Sequence, residues 1–468
     1  MNESNSKIKN GLVWNSINHI AKYGLQFCSV MILARLLTPH DYGLIGLITI
    51  FISVSEGICD SGLGGAIIKK ADAKTIDYST LFVYNTVVSI FLFIVIFFCA
   101  PYLDFFYKED CLGKLLRLYS VVLIIHAATI VPRLYMTKRF LFKELSIINT
   151  ISNFFGLVGA ILLAYMGFGP YSLVWQHIIY ALFMNVLILY RSKYHISLGF
   201  SIISFKEQFS FGINTTIANT LKSFTENIYN NFIGKSSSVV QSGYYAQGTK
   251  IMQVPVLFFH GLIDTTFFPV LSQIQDISEF RKKICSLNTK TMSVIILIFI
   301  FLIPNSKEII YVLLGEKWLD ASWTLTILFI SGLFITWGNI GRNVIKCTGK
   351  TYIILKYEIF MFLLAMLGLL FTYKLGYKPI VLCFLAISFV KSVIINLLAC
   401  KELETSLIKL LKPLREYLIS MVFICSFLFF FEIENRYLSL VVKIGVSILC
   451  LIPVIKRHRI NFRSIKIQ

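Results

Sequence analysis

Apolar residues run in long blocks separated by short polar stretches. Leu81–Ala100 reads "LFVYNTVVSIFLFIVIFFCA", Ile359–Phe371 reads "IFMFLLAMLGLLF" and Tyr417–Phe431 reads "YLISMVFICSFLFFF". No block alternates apolar and polar as a membrane barrel strand does. Block length is that of a helix crossing a bilayer, about 20 residues. The pattern predicts spans near 11–35, 40–63, 79–101, 112–134, 145–167, 170–190, 211–234, 244–271, 287–304, 322–345, 352–374, 377–400, 415–431 and 437–455. The expected fold class is therefore all-α, a polytopic membrane protein of about fourteen spans. An even number leaves both termini on one side. No connection exceeds about 20 residues, too few for a separate catalytic or nucleotide-binding domain.

Composition agrees, since 56% hydrophobic residues and a mean hydropathy of +0.75 exceed what a soluble chain of this length carries. The net charge of +20 suggests nucleic acid until its distribution is read. "KKADAK", "RLYMTKRFLFK", "KELETSLIKLLKPLR" and the tail "KRHRINFRSIK" all fall between spans on one side. That is the bias of cytoplasmic loops against anionic lipid, so the chain is placed in the plasma (inner) membrane with both termini cytoplasmic and no nucleic-acid partner. The start, "MNESNSKIKNG", runs into a span without a small-residue cleavage site. "TGKT" at Thr348–Thr351 lacks the P-loop glycine, its place being taken by Val344. The 10 cysteines include no C-x-x-C pair and read as small apolar fillers. No metal, cofactor or catalytic constellation is expected.

One span is wet. Asn214–Gly234 reads "NTTIANTLKSFTENIYNNFIG". Thr215, Asn219, Lys222, Glu226 and Asn230 follow at helical spacing on one face, and Ile213, Ile217, Leu221, Phe224 and Ile228 on the other. The first span repeats the stripe with Asn15, His19, Lys22, Gln26 and Ser29. An offset of 200 residues aligns the two, bringing Lys22 to Lys222, Gln26 to Glu226, Arg35 to Lys235 and Gly43 to Gly243. The chain thus divides into lobes 1–200 and 201–405, followed by an appendage at 406–468. A lysine at the bilayer centre costs about 2.5–3.5 kcal/mol on insertion scales, so it faces protein or water. Two such stripes suit a central cavity between parallel repeats. The competing readings are a helix lying on the membrane surface and local pairing of Lys222 with Glu226. Glu56, Asp60, Glu226 and Asp264 are candidates for ion coupling; the alternatives for Glu56 and Asp60 are partners for Lys22 and, for Asp60, an interfacial cap. His260 and Asp264 share a helix face. His126, His177 and Lys391 read as structural.

"ARLLTPHDYGLIGL" (Ala34–Leu47), "DSGLGGAIIKK" (Asp60–Lys70), "GYYAQGTKIMQVP" (Gly243–Pro255) and "FPVLSQIQD" (Phe268–Asp276) resemble Wzx-type polysaccharide and O-antigen flippases of the multidrug/oligosaccharidyl-lipid/polysaccharide exporter superfamily. The resemblance implies two six-helix lobes around a central cavity, often with two added C-terminal helices. It implies transfer of a polyprenyl-diphosphate-linked oligosaccharide from the inner to the outer leaflet. The diphosphate or an acidic sugar would meet Lys22, Arg35, Lys222 and Lys250, with Asn15, His19, Gln26 and Asn219 beside them. A polymerase and a ligase of the same pathway are the implied partners. Alternatives within the superfamily are a lipid II flippase and a drug/cation antiporter. The antiporter's acidic first span is missing here, since no Asp or Glu lies between Lys9 and Arg35. A polymerase or ligase embedded in the membrane is the alternative from another class, and it would need larger outside loops.

Overall fold

The computed structural model describes residues 24–25, 27–59, 62–70, 72–192, 194, 197–271, 276–348, 350–429, 438–439, 441–443 and 445–446. Among them there is no strand. Contacts divide the chain into two compact units, 1–246 and 247–468. Within the first lie α1 (Phe27–Leu36), α2 (Pro39–Cys59), α3 (Leu63–Lys69), α4 (Thr75–Cys99), α5 (Pro101–Tyr107), α6 (Leu112–Lys138), α7 (Phe142–Tyr165), α8 (Tyr171–Ser192) and α9 (Ile202–Ser236). α10 (Val239–Leu271) carries the chain across the division. The second unit continues with α11 (Ile277–Leu302), α12 (Ser306–Leu314), α13 (Ser322–Cys347), α14 (Thr351–Thr372), α15 (Tyr377–Glu402), α16 (Leu407–Leu411) and α17 (Arg415–Phe429).

Nine stretches of the described residues are long and apolar enough to cross a membrane by length and composition. α9 fails on composition rather than length. α9 carries too many polar groups, and the apolar part of α17 is short at 15 residues. The predicted spans within the described residues each coincide with a helix, although α9 begins at Ile202, earlier than the predicted 211. Faces that would meet lipid are apolar and exposed, such as Val87, Phe91 and Phe98 on α4 and Leu363, Leu367 and Leu370 on α14.

Packing repeats where the sequence repeat predicts it. In the first unit α4 packs on α6, α6 on α8 and α7 on α8. In the second, α11 packs on α13, α13 on α15 and α14 on α15. A short helix that the hydropathy pattern did not reveal follows the first member of each set, α5 after α4 and α12 after α11. The compact units divide at 246/247. α9 packs on α2, α3 and α4 of the first unit.

The α2–α9 seam is built from small residues, as helix pairs in membranes are when the hydrophobic effect gives them no drive to associate. Gly57 meets Thr220, Gly62 meets Thr215 and Gly234 meets Leu47. The seam continues onto α10 with a reciprocal contact. A Cβ on Gly43 would overlap the carbonyl oxygen of Val239, and one on Gly243 would overlap that of Pro39. Pro39 and Val239, like Gly43 and Gly243, are 200 residues apart. Residue i meets j+200 while j meets i+200, the signature of a two-fold relation between the matching segments.

The other end of this seam is polar and tied. Asp77, 3% exposed at the third position of α4, accepts from Lys74 N–H (2.9 Å), Ser204 Oγ (2.6 Å) and Lys70 Nζ (3.2 Å). Gln208 donates to the Asp77 carbonyl at 3.0 Å, and Lys138 caps the α3 C-terminus through the carbonyls of Ile67 and Lys70. Glu207, and after it Asp77, hold the Lys70 ammonium above its usual range by hydrogen bonding. Asp77→Asn keeps the shape and loses charge-assisted bonds, with an expected cost of about 1–3 kcal/mol. Thermal unfolding in detergent measures it, and an unchanged midpoint would mean that solvent already screens the carboxylate.

Candidate functional site

The wet helix α9 divides its polar residues between two tasks. Thr215, Asn219, Lys222 and Glu226 are exposed on one stripe, as predicted. Asn230, predicted to continue that stripe, is instead buried and accepts from Ser242 Oγ at 3.0 Å. Asn227 donates to Ser53 of α2 at 3.1 Å, and Asn231 accepts from Tyr107 of α5 at 2.8 Å. The asparagines towards the end of α9 therefore join helices. Lys222 and Glu226 face each other at 3.8 Å with side chains 54% and 58% exposed. An exposed i,i+4 pair of this kind is worth about 0.3–0.5 kcal/mol and holds neither charge firmly. Both remain available to a ligand.

Of the other predicted residues, Asn15, His19, Lys22, Gln26 and Asp60 lie outside the described residues. Arg35 is exposed at the end of α1, and Lys250 is half-buried in α10. Asp264 accepts from Asn343 at 2.7 Å and Asn339 at 3.3 Å, both on α13. Its site is thus an amide-lined carboxylate between two helices of the second unit. Glu56 has a partner that was read as structural: His126 Nδ1 of α6 lies 3.6 Å from its carboxylate. The pair borders a cavity of about 430 Å³ inside the first unit.

A charged cluster in the second unit escaped the sequence reading. Glu358 of α14, its side chain 10% exposed, takes the Arg342 guanidinium of α13 on one oxygen and Lys391 Nζ of α15 on the other, the latter at 3.7 Å. Tyr357 donates to the Lys391 carbonyl at 2.9 Å. Two cations on one carboxylate leave net positive charge where three helices meet. The signal in the sequence was a charge inside each of three apolar blocks, Arg342, Glu358 and Lys391, and such charges are paired more often than not when they lie in a membrane. A second buried pair, Glu308 of α12 with Lys443 at 2.7 Å, is joined by Ser439 at 2.8 Å.

Comparison with known proteins bears on this arrangement. The family described as "Polysaccharide biosynthesis protein" matches residues 32–323. The teichuronic acid biosynthesis protein TuaB of Bacillus subtilis is 24% identical over 347 residues, which is 74% of this chain and 72% of that one. The succinoglycan biosynthesis transport protein ExoT of Rhizobium meliloti is 24% identical over 327 residues, or 69% of this chain and 66% of that one. Among solved structures, a lipid II flippase MurJ in an inward closed conformation superposes with a TM-score of 0.75 at 17% identity, covering 95% of this chain and 98% of that one. That likeness establishes the fold.

Proposed function

Because the chain belongs to the polysaccharide biosynthesis protein family, we propose that it is a flippase for a lipid-linked oligosaccharide, the repeat unit of a surface polysaccharide. It would carry that unit from the inner to the outer leaflet of the plasma membrane by alternating access, with both termini cytoplasmic. The observation that carries this reading is the exposed Asn219–Lys222–Glu226 stripe on α9, a helix embedded among apolar helices long enough to cross a membrane. A mid-membrane cation exposed within such a bundle serves an anionic or polar cargo rather than the lipid. The name of the succinoglycan transport relative supports the same class of cargo.

The physics of the cargo sets the mechanism. A bare diphosphate cannot enter hydrocarbon, so its charge must be met by cations along the path. Lys22, Arg35, Lys222 and Lys250 supply them, with Asn15, His19, Gln26 and Asn219 as neutral partners. The polyprenyl tail stays in the bilayer. Outward movement of negative charge is helped by the membrane potential, about 2.3 kcal/mol per charge per 100 mV. Glu56, Asp60, Glu226 and Asp264 are the groups at which a counter-moving cation would couple. No covalent bond forms or breaks, and chain extension falls to a separate polymerase and ligase.

The test uses purified protein in liposomes loaded with a fluorescent polyprenyl-diphosphate oligosaccharide, read by an impermeant reagent. Wild type is expected to expose the sugar on the far side. Lys222→Ala and Lys22→Ala should each slow that crossing about tenfold or more, the loss of one charge-assisted contact, while inserting normally. Transfer or lengthening of the sugar without crossing would make the protein an enzyme. Crossing at the wild-type rate in both variants would remove the cations from the path.

A further inference from the structure

The first unit holds a second polar place, apart from the α9 stripe. Its cavity of about 430 Å³ is bounded by α2, α3, α4, α6 and α8, a volume within the range of small-ligand pockets, about 300–1,000 Å³. One wall is a stripe of α6, where His126, Thr129 and Arg133 follow at helical spacing. Facing groups are Glu56, Asn85 and Tyr180. The Asn85 and Arg133 side chains have no hydrogen-bonding or ion-pair partner among the described residues. Asn85 is 1% exposed, and neither its Nδ2 nor its Oδ1 has a hydrogen-bond partner among the described residues. An amide buried without a partner is costly, so such a group asks for a ligand. The Arg133 guanidinium, exposed towards the cavity, makes no hydrogen bond or ion pair with a described residue.

The set discriminates among cargoes. A bulky cationic cargo, unlike a small coupling ion at Glu56, would fill the cavity and meet Arg133. A diphosphate carries more negative charge than the single Arg133 can answer beside the Glu56 carboxylate, which is already engaged with His126 at 3.6 Å; a sugar with one carboxylate does not. A polyhydroxylated ring needs donors and acceptors together, and the cavity offers both: Glu56 accepts, Arg133 donates, and Asn85 does each. Arg133 adds a planar fork that matches a carboxylate in two parallel bonds.

We propose that this cavity is a saccharide subsite selective for an acidic sugar, with Arg133 on the sugar carboxylate and Asn85 and Glu56 on its hydroxyls. The assignment rests on the flippase reading, in which the sugar is part of the lipid-linked cargo. The diphosphate then stays with the basic stripe and the sugar end occupies the cavity, so that the two chemistries of one substrate are met in two places.

The experiment is saturation-transfer NMR on the full chain in nanodiscs, with D-glucuronate and D-glucose as probes. Wild type is expected to bind both, and glucuronate about tenfold tighter, the usual worth of one charge-assisted contact. Arg133→Gln should abolish that preference and leave glucose binding. Asn85→Leu, of similar volume, should weaken both sugars while leaving the melting temperature unchanged or raised, because the amide it removes bonds nothing. Absence of transfer, or identical transfer in all three proteins, overturns the subsite. The liposome crossing assay on the same preparations separates the two readings. Crossing without sugar binding removes the subsite alone. Sugar binding that needs Arg133 in a protein that flips nothing keeps the subsite and overturns the flippase.

Discussion

Glu358→Ala will destabilise the second unit by about 3–5 kcal/mol, the usual cost of removing one partner from a buried ion pair. Glu358 is the common acceptor of Arg342 and Lys391, and these three side chains link α13, α14 and α15. Without it, two cations stand less than 30% exposed in an apolar bundle with no carboxylate between them. Each must then draw in water or repack. Replacing all three charges with apolar residues of similar volume should cost far less than the single change, since the penalty lies in the unpaired charge. Unfolding in detergent, followed by tryptophan fluorescence, measures both. A loss below about 1 kcal/mol for Glu358→Ala would place the cluster in the regime of solvent-exposed pairs.

Gly43→Val, and independently Gly243→Val, will hold apart the crossing of α2 with α10. Neither position has room for a Cβ, because the obstacle is backbone on the partner, Val239 O for Gly43 and Pro39 O for Gly243. Side chains can rotate away, but a carbonyl in a helix cannot. The substitution therefore separates the helices at that end or costs about 1–3 kcal/mol of overpacking. If alternating access closes this end in one half of the cycle, each variant should slow the crossing of lipid-linked sugar about tenfold or more, that cost converted at 1.4 kcal/mol per decade. Gly261→Ala is the control, since a Cβ there meets nothing within 4 Å. Wild-type transport by both valine variants would show that this contact does not tighten during the cycle.

The helical membrane fold was legible because long apolar blocks have few other outcomes, and the Gly43–Gly243 register marked two positions that meet equivalent partners, Val239 and Pro39. The contact of those glycines was not legible, because an offset reveals equivalence and not adjacency. Short helices such as α5 and α12 were missed for lack of periodic length. On α9 the polar stripe was readable, but Asn227 and Asn230 looked the same in the sequence whether they meet cargo or a neighbouring helix. Only packing against Ser53 and Ser242 separates those roles. Glu358 was overlooked because its partners lie far along the chain, Arg342 16 residues before it and Lys391 33 residues after it. Arg133 and His126 were hidden similarly, since the cavity they share with Asn85 draws on five helices.

The polarity of α9 also constrains how the protein is made. A helix with Lys222, Glu226 and several asparagines leaves the translocon for lipid poorly, each central charge costing about 2.5–3.5 kcal/mol. Its amides are answered by Ser53 and Tyr107, both synthesised earlier, and by Ser242, synthesised just after. During biogenesis α9 therefore needs the preceding helices already resident in the bilayer and α10 arriving behind it. A nascent chain lacking α2 should leave α9 stranded at the membrane surface.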